Sequence, residues 1–480
     1  MRDTRRASRR FFEAVEVRDT RAATLFAVCL AVAALAAFVP AYPGLADAPR
    51  WALFILVLAA GLWMTEAIPA FAVALLVIGL EIAILGKPGG VFAASQEPGL
   101  WEEFTAPWAS SLIWLFLGGF IMAAAASKTG LDRAMATTVL RAAGPSPGAI
   151  LAGAMGITFV LSMFVSNTAT AAMMLAVIGP ILASLPAGVR FDKALLLGIA
   201  MAANLGGMGT LIGTPPNAIA AGILSSRRPV EFGEWMVAGI PPALLLLGIA
   251  WWFLMRRYGR DSASLTLDLS AGEQRRAPRW QQGLVVVVFA VTVSLWIGGS
   301  LHHSNPSSVI AFIPITLLSV TGVIGVKEIR ELRWDVLLML TGGLSLGVAV
   351  IETGLAEWLV EGIDLTGWGA ISVGLVFALL AMALSNFMSN TAAANILVPI
   401  GMATALGLGE AGAPFVVVIG IALSASAAMC LPIATPPNAI AYSSGRVRSG
   451  DFLLPGLLMA FLAPLLAVGW LAILRKLVAS

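Results

Sequence analysis

Charge is what this chain has least of. Its 480 residues hold 29 Lys and Arg, 26 Asp and Glu and two His, so 11% are charged and 59% hydrophobic. Soluble domains carry roughly 25% charge, which excludes an ordinary soluble fold. Apolar runs long enough to cross hydrocarbon recur from Ala22 to Leu477, and they predict an all-α polytopic membrane protein. The runs do not alternate apolar and polar residues in short segments, which excludes a membrane β-barrel. Cysteine is equally scarce. Cys29 and Cys430 lie far apart in apolar runs and form neither a disulfide framework nor a metal site. The net charge of +3 fits basic loops facing a cytoplasm rather than nucleic-acid binding. No small-residue cleavage site follows the first apolar run, so that run reads as a retained first helix and not as a signal peptide.

In four segments the shortage is absolute. Residues 142–189, 194–226, 365–409 and 411–445 contain no Asp, Glu, Lys, Arg or His. Proton-coupled transporters usually need an intramembrane carboxylate or histidine, and these segments supply none. An anion site built from them has no arginine to use. It would need hydroxyls, amides, the exposed N–H groups of broken helix ends and bound cations. An intramembrane enzyme would need a nucleophile–base pair or metal ligands at this depth, which are also missing.

What these segments do contain is repeated. Ser166-Asn167-Thr168 interrupts one apolar run and Ser389-Asn390-Thr391 another. Thr214-Pro215-Pro216-Asn217-Ala218-Ile219-Ala220 recurs as Thr435-Pro436-Pro437-Asn438-Ala439-Ile440-Ala441. Gly118-Gly119 recurs as Gly342-Gly343, 224 residues on (342 − 118), and the later motifs recur at 223 and 221. An offset that drifts so little marks an internal repeat, and two-repeat membrane proteins of this kind are typically transporters with a site at the repeat interface. Two prolines in sequence cannot continue an ordinary helix, so 194–225 and 413–444 predict discontinuous helices. Residues 148–185 and 370–407 read either as paired spans or as re-entrant hairpins with the triplet at the tip. Irregular backbone at membrane depth is tolerated only where protein or a water-filled cavity satisfies it.

The remaining organisation follows. A basic leader, 1–21, precedes an N-terminal half, 22–255. A polar linker, 256–282, holds Arg256, Arg257, Arg260, Arg275, Arg276 and Arg279, and the C-terminal half covers 283–480. Counting each triplet segment as a one-sided hairpin gives eleven spans. A cytoplasmic N-terminus then puts Lys128, Arg133, Arg141, Arg190, Lys193, the linker, Lys327, Arg330, Arg333, Arg446 and Arg448 inside, with Glu97, Glu102, Glu352, Glu357, Glu361 and Glu410 outside, and the repeats are inverted. Arg227, Arg228, Arg475 and Lys476 fall on the wrong side. The expected location is the cell membrane, multi-pass. His302 and His303 read as a solvated external turn. Glu66 and Glu81 read as helix-end or packing carboxylates, Glu66 being the better relay candidate. Trp51, Trp101, Trp108, Trp235, Trp280, Trp334 and Trp358 read as interfacial anchors. The Gly-Gly pairs read as close helix contacts.

Paired Ser-Asn-Thr triplets, each followed by Thr-Pro-Pro-Asn-Ala-Ile, resemble the divalent anion/sodium symporter family, which includes the sodium–dicarboxylate cotransporters. The resemblance covers nearly the whole chain. It implies eleven spans plus two re-entrant hairpins, a homodimer, and a transport domain that moves as an elevator against a scaffold. It implies a first sodium site of Ser162, Ser166, Asn167 and the Gly213 carbonyl. A second would use Ser385, Asn390 and carbonyls near Met388 and Ala434. The substrate would meet Asn167, Thr168, Ser389, Asn390 and Thr391, with Thr214-Pro215 and Thr435-Pro436. Sodium is co-transported and no prosthetic group is implied. A C4 dicarboxylate is the favoured substrate; sulfate, tricarboxylates and sodium-independent exchange occur on the same pattern.

Overall fold

The computed structural model describes residues 2–86, 101–185, 189–225, 227–259, 277–302, 306–361 and 367–479. Expectations placed on Glu97, Arg260, Arg275, Arg276 and His303 lie outside these. Among the described residues every regular element is a helix. Eight helices are long and apolar enough to cross a membrane, and five shorter apolar ones accompany them. The chain divides into two compact units, residues 1–108 with 338–364, and 109–337 with 365–480.

In the first unit α1 (Arg2–Phe38) packs along α2 (Asp47–Thr65), which leads into α3 (Ala70–Leu80). The first span is thus continuous with the helical leader. Helix α3 runs into a π-helical turn at Glu81–Gly86, a geometry often found at functional positions. Glu81 is fully buried, and Ser345 of α12 (Trp334–Glu352) bonds both its carboxylate and the Phe104 carbonyl. Glu66 is exposed and caps α2 in a left-handed conformation. Glu66 thus sits at a helix end and Glu81 is a packed carboxylate, the two places expected for these acids. A Cβ on Gly342 would meet Ala74 at 2.4 Å, so α12 and α3 touch backbone to backbone, as small-residue contacts permit.

The second unit holds both copies of the Ser-Asn-Thr triplet and of the Pro-Pro motif. Its first repeat runs through α4 (Ser111–Thr129), α5 (Leu131–Ala143), α6 (Pro147–Ser162), α7 (Asn167–Ser184), α8 (Phe191–Gly207) and α9 (Pro215–Leu224). Helices α10 (Phe232–Tyr258) and α11 (Arg279–His302) follow, so the helices run further into the expected linker from both sides. The second repeat continues through α13 (Ala370–Ser385), α14 (Asn390–Gly407), α15 (Ala413–Ser426), α16 (Pro436–Ser443) and α17 (Ser449–Ala479). Helix α6 packs on α8 as α13 packs on α15. The short helices after the Pro-Pro breaks are exchanged. Helix α9 packs on α14 and α15 of the other repeat, and α16 packs on α7 and α8.

One expectation fails here. Trp235 is fully buried and its indole donates to the Met208 carbonyl at 3.1 Å; it ties α10 to the break after α8 and is no interfacial anchor. Arg228 and Arg475 are not free surface charges, since Arg228 pairs with Glu234 and Arg475 with Glu410 at 2.7 Å.

Candidate functional site

Each triplet ends one helix and begins the next. The chain leaves α6 at Ser162 and re-enters a helix at Asn167 with Ser166 as N-cap, its hydroxyl accepting from Ala169 N at 3.3 Å. Ser389 does the same for α14, accepting from Ala392 N at 3.2 Å. A capping hydroxyl satisfies an orphan N–H and leaves the other first-turn N–H groups facing outward. The Pro-Pro pairs occupy the first positions of α9 and α16, where a missing N–H costs nothing and the fixed φ suits a helix start.

The asparagine after each proline pair closes the break behind it. Asn217 Nδ2 donates to Gly207 O at 2.8 Å and Thr210 O at 2.7 Å. Asn438 Nδ2 donates to Met429 O at 3.0 Å and Leu431 O at 2.9 Å. These are carbonyls that the interrupted helix cannot satisfy itself. Glycines admit the close approach. A Cβ on Gly206 would meet Phe159 O at 2.3 Å, and one on Gly213 would meet Gly207 O at 2.4 Å.

Two oxygen clusters lie behind the triplets. Ser162 is fully buried, donates to Ala203 O at 2.7 Å and lies 2.7 Å from the Asn167 amide. The amide position that faces Ser162 is also 3.2 Å from Ala203 O and 3.3 Å from Gly213 O. Filled by nitrogen, that position donates to all three oxygens. Filled by oxygen, it completes a set of four hard ligands suited to a sodium ion. The second cluster repeats the first. Ser385, also fully buried, lies 2.9 Å from Asn390 Oδ1 and 3.1 Å from Ala425 O. Ala203 and Ala425 contribute backbone only, so no residue type advertised them. Met388 is buried at the second tip and, unlike Ala434, is not among the residues that line the cavity described next.

In front of the clusters is a cavity of ≈ 170 Å³. Every residue expected to meet substrate lines it: Asn167, Thr168, Thr214, Pro215, Ser389, Asn390, Thr391, Thr435 and Pro436. Ser166, Gly213 and Ala434 join them. The first turns of α7, α9, α14 and α16 therefore all border one space. Each N-terminus carries partial positive charge; α7 and α14 add unpaired first-turn N–H groups, whereas α9 and α16 begin with two prolines that have none, and together they make an anion site without a cation on these helices.

Of the lining residues that escaped the sequence reading, three bear on the chemistry. Phe116 of α4 walls one side. Asn204 of α8 reaches across the repeats, its Nδ2 donating to Thr435 Oγ1 at 3.0 Å and Asn438 Oδ1 at 3.3 Å. Arg333, which precedes α12, brings a formal charge to the wall. The expectation that no arginine is available thus holds for the charge-free segments but not for the cavity they form.

Known proteins place this arrangement. The citrate transporter family (CitMHS) matches residues 60–419. A sodium-dependent dicarboxylate transporter, SdcS, from Staphylococcus saprophyticus is 32% identical over 438 residues, covering 84% of this chain and 82% of that protein. The protein of the same name from Staphylococcus aureus is 32% identical over 419 residues, covering 80% and 78%. Among solved structures, the YdaH transporter of Alcanivorax borkumensis superposes with a TM-score of 0.52 at 14% identity, covering 85% of this chain and 96% of that one. MtrF of Neisseria gonorrhoeae gives 0.53 at 14%, covering 94% of each; at such identity the likeness speaks for the fold alone. The chain is a membrane transporter and belongs to the divalent anion/sodium symporter family.

Proposed function

We propose that this protein couples inward sodium movement to uptake of a C4 dicarboxylate such as succinate, malate or fumarate. One observation carries the reading: four helix N-termini border a single small cavity, and a cluster of serine, asparagine and backbone-carbonyl groups lies behind each triplet. The N-termini favour a dianion at both ends. The clusters offer the hard, uncharged oxygens that suit sodium. A dianion desolvated in such a site is strongly disfavoured unless its charge is offset, and sodium in the two clusters offsets it at short range. Coupling then needs no separate device, because sodium completes the anion site. The names of the staphylococcal relatives support both ions.

In this reading Ser162, Ser166, Asn167 and the carbonyls of Gly213 and Ala203 hold one sodium. Ser385, Asn390 and the Ala425 carbonyl hold the other, with carbonyls near Met388 and Ala434 as further candidates. Asn167 and Asn390 serve ion and substrate together. The inverted repeats, the elevator movement, the homodimer and the cytoplasmic N-terminus in the cell membrane belong to the same proposal.

The test is uptake of labelled succinate into proteoliposomes under an inward sodium gradient, with sulfate and citrate as competitors. Sodium-driven accumulation that sulfate fails to compete supports the reading. Equal counterflow with and without sodium would replace it with an exchanger. Asn167→Ala and Asn390→Ala should each abolish sodium-dependent uptake while the protein still folds, and normal uptake in both would remove the site assignment.

A further inference from the structure

Among the described residues one charged side chain stands on the cavity wall. Arg333 lines the cavity. Its guanidinium is engaged side-on by Asp335, with Nε to Oδ1 at 3.0 Å and Nη2 to Oδ2 at 3.0 Å. This is the two-point fork that guanidinium makes with any carboxylate. Both side chains are about half exposed, at 48% and 51%, and an ion pair so wetted contributes little to stability. A weak pair with a carboxylate-shaped partner, at the edge of a carboxylate-sized cavity, is poised for partner exchange.

We propose that Arg333 is a carboxylate-binding group of the transport site, and that Asp335 occupies it until substrate arrives. The incoming dicarboxylate displaces the Asp335 carboxylate and takes the same two N–H donors, while its other end meets the helix N-termini at the triplets. The exchange conserves the number of charge-assisted hydrogen bonds on Arg333, so its barrier is the loosening of an exposed pair. Asp335 is then a built-in competitor. It sets affinity low enough for release, and it keeps the guanidinium from holding chloride or other small anions with a single donor pair.

The inference rests on the dicarboxylate reading and makes a prediction in sign that a structural ion pair would not. Arg333→Gln should raise the KM for succinate about tenfold or more, the scale of a hydrogen bond to a charged group, without moving the sodium half-saturation measured at saturating succinate. Asp335→Asn should lower that KM, because the competitor is gone and the guanidinium remains. Arg333→Lys keeps the charge and loses the fork, and should fall between wild type and Arg333→Gln. All are measured as initial sodium-driven succinate uptake in proteoliposomes, with thermal melting of each variant as the check on folding. If Arg333→Gln has the wild-type KM, or if Arg333→Gln and Asp335→Asn shift KM in the same direction, the proposal is wrong. Failure of the wild type to take up succinate would instead defeat the dicarboxylate reading.

Discussion

At the scale of single residues, the site is governed by which oxygens still have a proton to give. Asn438 is fixed first, because its amide nitrogen donates to two carbonyls and its Oδ1 must therefore accept. Asn204 is fixed next, since only its nitrogen can face Asn438 Oδ1 and Thr435 Oγ1. Thr435 Oγ1 also accepts from Asn438 N at 3.4 Å. With its lone pairs engaged in this way, the threonine hydroxyl is left as a donor on the cavity wall, suited to an anion. Thr435→Val should therefore weaken succinate uptake. Asn204→Ala should weaken it comparably in the wild type but add little in the Thr435→Val background. A full additional loss in the double variant, read from the four KM values, would show that Asn204 acts elsewhere. Ser162→Ala is expected to raise the sodium half-saturation several-fold, the loss of about one hydrogen-bond-strength ligand. An unchanged sodium dependence would remove Ser162 from the ion site.

At the scale of elements, the breaks and not the helices are what the repeats share most closely. A Pro-Pro pair starts α9 and α16, an asparagine closes each gap, and glycine lets each gap collapse. Asn217→Ala would strand the buried carbonyls of Gly207 and Thr210, at a cost of about 1–3 kcal/mol for an unsatisfied buried group. A fall in melting temperature follows, and an unaltered melt would contradict the role given to Asn217. Much of this level was legible in the sequence. The triplets and Pro-Pro pairs are polar or helix-breaking in runs otherwise free of charge, so their positions could be read directly. What was not legible depends on neighbours distant in the chain. The Ala203 and Ala425 carbonyls carry no side-chain signature. Arg333 looks like an ordinary loop arginine until the fold puts it on the cavity that Thr214 and Thr435 also line, and Trp235 looks like an anchor until Met208 meets it. The two hairpin tips also differ. Phe164 packs edge-on against Phe289 at 5.1 Å, whereas Phe387 is 80% exposed. If the hairpins alternate in cover during transport, a cysteine placed at 387 should change its rate of modification by a polar maleimide when sodium and succinate are added. A rate indifferent to both would argue against a moving second hairpin.

At the scale of the whole molecule, a low-charge chain exchanges short helices reciprocally between two repeats, and a cavity lies where the exchanged ends meet. The exchange explains why the repeats must act together: α9 reaches the helices of the second triplet and α16 those of the first. The proposed homodimer predicts twice the 49.8 kDa chain mass for the detergent-solubilised protein in light scattering, and a monomer mass would exclude it. The central claim is that sodium completes the anion site, and it is tested most directly at equilibrium. Succinate binding to the purified protein should be measured by calorimetry in sodium chloride and in choline chloride of equal ionic strength. The account predicts a saturable heat in sodium and none in choline, with the apparent affinity rising steeply as sodium is raised. Succinate binding of equal affinity in both salts would contradict it.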